Sequence, residues 1–362
     1  MEQERSESQT FQAKMLHDLP ESLSVDRQQQ NITAAQEKQL NRDRLCTVGI
    51  CAMEKKVKSA AMQEMIHSIL VYSNNLLRII VFPLESIFNS SVEEWPVVDV
   101  LISFYSVGFP LDKVLQKFSL TEDLYFVDSA SRKQELCACL AQVTWKKSTL
   151  EKSVQSLQNA QNFYQAGETI FVGSHTLHMP FVEKPACADR HDIYIYYPLS
   201  MGGGVRRLFR KTADRSSEYY IPREDEKCGD VAHVRLDGSY VYESFLEADI
   251  QQDVKVYCVG PHYAYGELRK SPVVDGVVER LSDGRERRIA TILSTDESNA
   301  ATAIVSGFRQ FVCGFDIIRC KNRFFVIDVN GWSFVKGNEE YYRQAGRYLA
   351  THILFLWSKP NC

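Results

Sequence analysis

One stretch constrains this chain more than any other: residues 311–336, FVCGFDIIRCKNRFFVIDVNGWSFVK. It reads as two short strands, 311–318 and 324–329, joined by a turn at Lys321, Asn322 and Arg323. Each strand carries one acid in apolar company, Asp316 and Asp328. Asn330 follows Asp328 by two residues, so their side chains share one face of an extended segment. A carboxylate set into an apolar strand is costly unless a cation or a hydrogen-bond donor neutralises it. Two carboxylates and an amide oxygen converging from adjacent strands make a hard, all-oxygen set, which suits Mg²⁺ bound together with substrate phosphates. For either acid alone, a role in closing a turn stays open; the three together favour metal. Gly331, Ser333 and Lys336 follow directly, a composition that suits the approach of an anion.

The remaining chain alternates strand and helix patterns. Residues 1–44 are polar and poor in apolar side chains, which predicts a disordered leader. Strands are expected at 46–53, 77–82 and 97–104, with helices at 60–72 and from 111 onward. This βα alternation predicts a small parallel-sheet α/β domain over 45–140, ending in a helix over 132–140. Ligands of such sheets bind beyond the carboxyl ends of the strands. Lys55 and Lys56 lie there, although a solvated charge run remains the alternative. Residues 148–167 are polar and read as a helix and loop linking domains. From Pro180 onward strands dominate, at 181–185, 191–198, 240–245, 253–260 and 263–270, followed by helices at 298–310 and 339–356. Gly202, Gly203 and Gly204 precede the basic run Arg206–Lys211; they read either as a phosphate-approaching loop or as a plain hairpin. No Walker A or GxGxxG pattern is present.

Composition closes off several classes. The 362 residues carry a formal charge of −4, so no global basic field points to nucleic acid. No apolar run is long enough to span a bilayer. The first residues lack the apolar core of a signal peptide, and the ten cysteines form no CxxC pair. These features predict reduced thiols and a cytoplasmic protein, in the cytosol with the nucleus as the alternative.

Lysines and arginines recur in the turns and strands of both halves: Lys184, Arg210, Lys211, Lys255, Arg269, Lys270 and Arg280, besides Lys55, Lys56 and Lys336. Converging beside Asp316 and Asp328, they would hold a nucleoside triphosphate and a second polyanion. Phosphoryl transfer needs chiefly positioning and charge neutralisation, which such a set supplies.

The stretches VGICAMEKKVKS, DVLISFYSVGFPLDKV, FVEKP, HDIYIYYPLSMGGGVRRLFRK, SYVYESF, DVKVYCVGPHYAYGELRKSPVVDGVVER, VCGFDIIR and VIDVNGWSFVK, in this order over most of 47–340, resemble the kinase domain of the diphosphoinositol pentakisphosphate kinases. The resemblance implies an α/β ATP-grasp fold. A central lobe (141–242) and a C-terminal lobe (243–357) would clamp ATP behind the N-terminal domain, and 358–362 would form a tail. It implies transfer of the ATP γ-phosphate to a phosphate, at the 1-position, of inositol hexakisphosphate or 5-diphosphoinositol pentakisphosphate. An ATP-grasp carboxylate–amine ligase and a non-catalytic inositol phosphate sensor are the alternatives. By the same resemblance, Asp316, Asp328 and Asn330 would hold Mg²⁺, with Arg269 beside them in catalysis. Lys184, His191 and Arg210 would reach ATP, and Glu243 and Phe245 would meet adenine. Lys55, Lys56, Arg210, Lys211, Lys255, Arg269, Ser333 and Lys336 would embrace the acceptor, with Arg280 supporting that cluster. Family members show paired arginines where this chain has Arg132 and Lys133. Many continue into a histidine-phosphatase-like domain, so a free-standing kinase and a fragment both stay open.

Overall fold

The computed structural model describes residues 45–103, parts of 106–116, 125–126, 163–173, 175–186, 191–308 and 310–358. The leader at 1–44, the helix expected over 132–140, and Arg132 and Lys133 lie outside these. The chain divides into two compact units, one spanning 1–131 and 334–362, the other 132–333.

In the first unit, strands β1 (Cys46–Cys51), β2 (Leu77–Val81), β3 (Val100–Ser103) and β4 (Tyr125–Phe126) form a wholly parallel sheet in the order β2-β1-β3-β4. All six residues of β1 are buried, as a central parallel strand requires. Gly49 in its middle is needed for packing: a Cβ there would lie 2.8 Å from the Phe82 ring and 3.0 Å from Leu101. Strand β1 ends at Cys51, earlier than its apolar pattern suggests. Lys55 and Lys56 then sit on a single helical turn, α1 (Glu54–Val57). Helix α2 (Ala60–Tyr72) is capped by Ser59, whose Oγ accepts from the Met62 N–H at 3.3 Å. Helix α3 (Leu84–Asn89) leads to Trp95, whose ring meets Phe82 edge-on at 5.7 Å.

The second unit is antiparallel. Strands β5 (Phe163–Ala166), β6 (Thr169–Val172) and β7 (His175–His178) form a three-stranded sheet. The link expected to run to Gly167 therefore gives way to strand at Phe163. Stacking of Tyr164 on Phe171 at 4.6 Å stabilises this pairing across β5 and β6. Strands β8 (Phe181–Pro185), β9 (Asp192–Tyr196), β10 (Val205–Thr212) and β11 (Arg215–Tyr220) follow. The short ribbon β12 (Lys227–Cys228) and β13 (Val231–Ala232) precedes β14 (Tyr240–Ser244), which closes a five-stranded sheet in the order β11-β10-β9-β8-β14. A second five-stranded sheet contains β15 (Gln252–Val259), β16 (Ala264–Lys270), β17 (Ile289–Thr291), β18 (Val312–Cys320) and β19 (Arg323–Asn330), ordered β17-β16-β15-β18-β19.

Alternation decides what this last sheet does. On β15, Val254, Val256 and Cys258 point to one face; on β18 and β19, Cys313, Phe315, Ile317 and Val329 join them. This face packs on helix α4 (Thr295–Phe308) through Ala301, Ile304, Val305 and Phe308. The opposite face is left to Asp253, Lys255, Arg269, Asp316, Asp328 and Asn330. Strands β18 and β19 meet through a two-residue turn with positive φ at both Lys321 (52°) and Asn322 (57°). That backbone twist matches the twist of the flanking strands. Arg323 accordingly sits within the ladder, opposite Cys320.

Helix α5 (Glu339–Ser358) returns to the first unit and packs on α2. Its Gly346 allows the close approach: a Cβ would lie 2.2 Å from that of Ser68. Among the described residues no helix is long and apolar enough to cross a membrane.

Candidate active site

Strand register builds the polar face. Lys255 on β15 lies opposite Asp316 on β18, and Asp316 lies opposite Asp328 on β19. Asp253 faces Arg269 across β15 and β16. The pairing then slips by one residue: Ile317 meets Val326, so Ile327 is the extra residue of a bulge beside Asp328. The Ile327 carbonyl accepts a hydrogen bond from Lys184 Nζ at 2.9 Å. Lys184 stands on β8 of the other sheet and also pairs with Glu243 of β14 at 2.6 Å. The bulge therefore ties the two five-stranded sheets together next to the acids.

Asp316 is buried, and each of its oxygens meets a cation. Lys255 Nζ is 2.8 Å from Oδ2 and Arg269 Nη2 is 2.6 Å from Oδ1. Burial alone would push this carboxyl up, but Lys255, Arg269 and the nearby charge of Lys184 hold it below its ordinary value. Asp328 and Asn330 are exposed, and Asn330 Nδ2 donates to Asp328 Oδ2 at 2.7 Å. That bond leaves the amide oxygen of Asn330 to face a ligand. Ser333 packs on Gly314, where a Cβ would come within 2.7 Å of its Oγ; Gly314 pairs with Asn330. The glycine thus brings the loop after β19 back beside the acids.

His191 directly precedes β9 and borders the same space. Burial and the Arg210 charge lower its pKa, against the pull of Asp328 and Asp316, so the ring is neutral at neutral pH. Lys211, at the end of β10, bonds to Glu286, whose other oxygen is 3.0 Å from Arg288. Burial lowers the Lys211 pKa, and Glu286 opposes the shift. A cavity of about 250 Å³ opens between the two sheets, with His191, Lys211, Lys255, Arg269, Asp316, Asp328 and Asn330 among its walls.

Eight of the residues singled out from sequence, these seven and Lys270, therefore line one cavity. Lys184 and Glu243 pair next to it, and Phe245 stacks edge-on with Tyr197 at 5.9 Å. Arg280 is not among the lining residues; its guanidinium donates to the carbonyls of Ala213 and Gly284. Lys55, Lys56 and Lys336 belong to the first unit. The three glycines adopt positive φ at the end of the β9–β10 hairpin opposite His191 and Arg210, so here they form a turn. Sequence reasoning passed over Arg287, Glu279 and Glu286, which also line the cavity. The charge-dense run ERLSDGRERR from 279 to 288 was the available signal. Among the described residues no three His, Cys, Asp or Glu side chains gather as a metal centre. The candidate set is two carboxylates and an amide.

Residues 46–138 match the family of the diphosphoinositol pentakisphosphate kinase 2 N-terminal domain. The chain is 38% identical, over 87% of its own length, to the inositol hexakisphosphate and diphosphoinositol-pentakisphosphate kinase of Caenorhabditis elegans. It is 39% identical, over 86% of its length, to the corresponding kinase 2 of Homo sapiens. It covers 24% of the first protein and 25% of the second, so it spans about a quarter of the length of these relatives. The ATP-grasp ligase PsnB, solved with a phosphomimetic variant of its minimal precursor, Mg and ADP, is 10% identical. It aligns with a TM-score of 0.45 over 87% of this chain and 99% of that one. By its sequence the chain is similar, over most of its own length, to the inositol hexakisphosphate and diphosphoinositol-pentakisphosphate kinases.

Proposed function

We propose that this chain is an ATP-dependent inositol pyrophosphate kinase of ATP-grasp architecture, in which the two five-stranded sheets of the second unit are the lobes that clamp ATP. It transfers the γ-phosphate to a phosphate, at the 1-position, of inositol hexakisphosphate or 5-diphosphoinositol pentakisphosphate. The observation that carries this reading is the register of Lys255, Asp316 and Asp328 across three strands, beside a cavity walled by cations. The names of the relatives supply the substrate class.

The residues present fit Mg²⁺. Asp328 and Asn330 offer exposed oxygens side by side, and Asp316 keeps unused lone pairs although each of its oxygens already meets a cation. When bound there with ATP, Mg²⁺ neutralises the phosphate oxygens that gain charge as the γ-phosphoryl group leaves. The side chains do the rest. Lys255 and Arg269 keep Asp316 ionised. Lys184 and Arg210 supply fixed positive charge to the phosphates, and neutral His191 offers its ring N–H. Glu243 and Phe245 meet adenine. Lys211 and Ser333 hold the acceptor together with Lys255 and Arg269. Lys55, Lys56 and Lys336 are assigned to the acceptor from sequence resemblance alone. The attacking atom is an oxygen of a phosphate already ionised at neutral pH, so no general base is required. A P–O bond forms to the γ-phosphorus as its bond to the β–γ bridging oxygen breaks, and ADP departs.

The test is incubation with Mg²⁺ and ATP and either inositol phosphate. Products are separated by charge, and phosphorus NMR locates the new group. A diphosphate at the 1-position is expected. ATP protection against unfolding without any product overturns the kinase reading in favour of a sensor or a ligase.

A further inference from the structure

Every lysine and arginine lining the cavity already has an acid partner. Lys255 and Arg269 share Asp316. The other three, Lys211, Lys270 and Arg287, pair with acids from one segment, the strap between β16 and β17. Lys211 meets Glu286, Lys270 meets Asp275 at 2.6 Å and Glu279 at 4.0 Å, and Arg287 meets Glu279 at 3.9 Å. Glu286 is the most enclosed of these acids, with 14% of its side chain exposed, and it also holds Arg288.

The strap is not a loose loop that happens to carry acids. It leaves the second sheet after Lys270 and lies along β11, the edge of the first sheet. The Ser216 N–H donates to the Gly276 carbonyl at 2.8 Å, and the Val278 N–H to the Asp214 carbonyl at 2.7 Å. Gly276, with φ +73°, permits this: a Cβ there would lie 2.1 Å from the Ser217 carbonyl oxygen. The strap then returns to the second sheet through Arg288, which donates to Tyr257 at 2.6 Å and to Glu267 at 3.1 Å. Its acids are therefore held against the cavity cations by backbone pairing at one end and a partly buried arginine at the other.

We propose that this strap is a built-in competitor of the polyanionic ligand. Asp275, Glu279 and Glu286 supply counter-charge to the cavity cations before a ligand arrives and must yield those cations to its phosphates. Grouped cations repel one another, and the strap acids offset that repulsion in the ligand-free protein. The same acids raise the free energy of the bound state, because a phosphate must replace a carboxylate already in contact. The strap thus holds affinity down and hastens release of a charged product. The inference rests on the polyanion reading of the cavity given above.

The test is calorimetric titration of the full chain with inositol hexakisphosphate, comparing wild type, Glu286→Gln and Asp275→Asn. Glu286→Gln keeps the shape and removes one negative charge a few ångströms from the ligand, so its Kd is expected to fall by about tenfold. Asp275, which is more exposed, is expected to give a smaller fall in the same direction. A merely structural role for Glu286 would weaken binding. Unchanged or weaker binding by both variants, with wild type binding normally, overturns the strap inference and leaves the kinase reading standing. No binding by any of the three overturns the polyanion reading, and the strap inference with it.

Discussion

Replacing Asp316 by asparagine removes one negative charge from between two largely enclosed cations. The side chains of Lys255 and Arg269 are 11% and 24% exposed and sit on opposite oxygens of that carboxylate. Once the acid is neutral, both face each other without counter-charge. Breaking a buried pair costs about 3–5 kcal/mol. The asparagine oxygen still accepts from one of the two, so the low end, about 3 kcal/mol, is expected. With a urea m-value of about 3 kcal/mol/M, the midpoint should drop by about 1 M. The transition to follow is the one that reports the second unit, whose antiparallel sheets carry the substitution. The acid limb gives a second reading. The folded-state pKa of Asp316 is depressed, so its stabilising contribution is complete above the ordinary carboxylate value of about 4. It is lost as pH falls through the lower folded value. That loss should be missing in the variant. Asp328→Asn is the control. Asp328 is exposed and its bond comes from a neutral amide. Stability should change by no more than about 0.5 kcal/mol while turnover is lost. A urea shift below about 0.3 M for Asp316→Asn would refute the charge argument, and full turnover in Asp328→Asn would refute its place among the metal ligands.

Three further outcomes are expected. Gly346→Ala places a methyl 2.2 Å from the Ser68 Cβ and 2.7 Å from that residue's backbone carbon. Denaturation of the first unit should show a loss of about 2–3 kcal/mol, and a neutral result would mean the α2–α5 contact is looser than drawn. Lys184→Met removes the link to the Ile327 carbonyl and strands Glu243, so KM for ATP should rise about tenfold or more, with a smaller change for the acceptor. The His191 ring should titrate below its ordinary value of about 6.5 in NMR, because burial and Arg210 disfavour the imidazolium. The unfolded chain binds that proton more readily, so stability falls as pH drops from about 6.5 through the lowered value. A midpoint above 6.5 would show that Asp328 and Asp316 dominate instead.

The strand residues that line the cavity were legible because register and alternation are local properties of a strand. The lone acids of the 311–336 stretch, the i, i+2 spacing of Asp328 and Asn330, and the i, i+2 spacing of Asp253 and Lys255 all follow from a period of two. On β15 the apolar even-numbered positions make the other face, and the helix that covers it comes from elsewhere in the chain. What stayed hidden depends on contacts distant in sequence. Residues Phe163–Ala166 have a half-polar pattern, and their pairing with β6, where Tyr164 stacks on Phe171, is a contact the local pattern does not announce. The three glycines suited a phosphate loop or a plain hairpin alike, because composition does not say which end of a hairpin faces the cavity.

The strap shows the same limit from the other side. Read along the chain, the run from 275 to 288 is an ordinary mixture of both signs, the composition of a solvated turn. Its meaning comes from two facts that sequence does not print. Gly276 must lie flat against Ser217, and Lys211 and Lys270 must arrive from two different sheets. Together these convert a neutral-looking turn into counter-charge aimed at one cavity. Counting cations along the chain therefore overstates the field a ligand meets, since each cavity cation is already paired. If the Kd of Glu286→Gln falls as expected, the net charge of the cavity, rather than the number of its lysines and arginines, sets how tightly a polyanion is held.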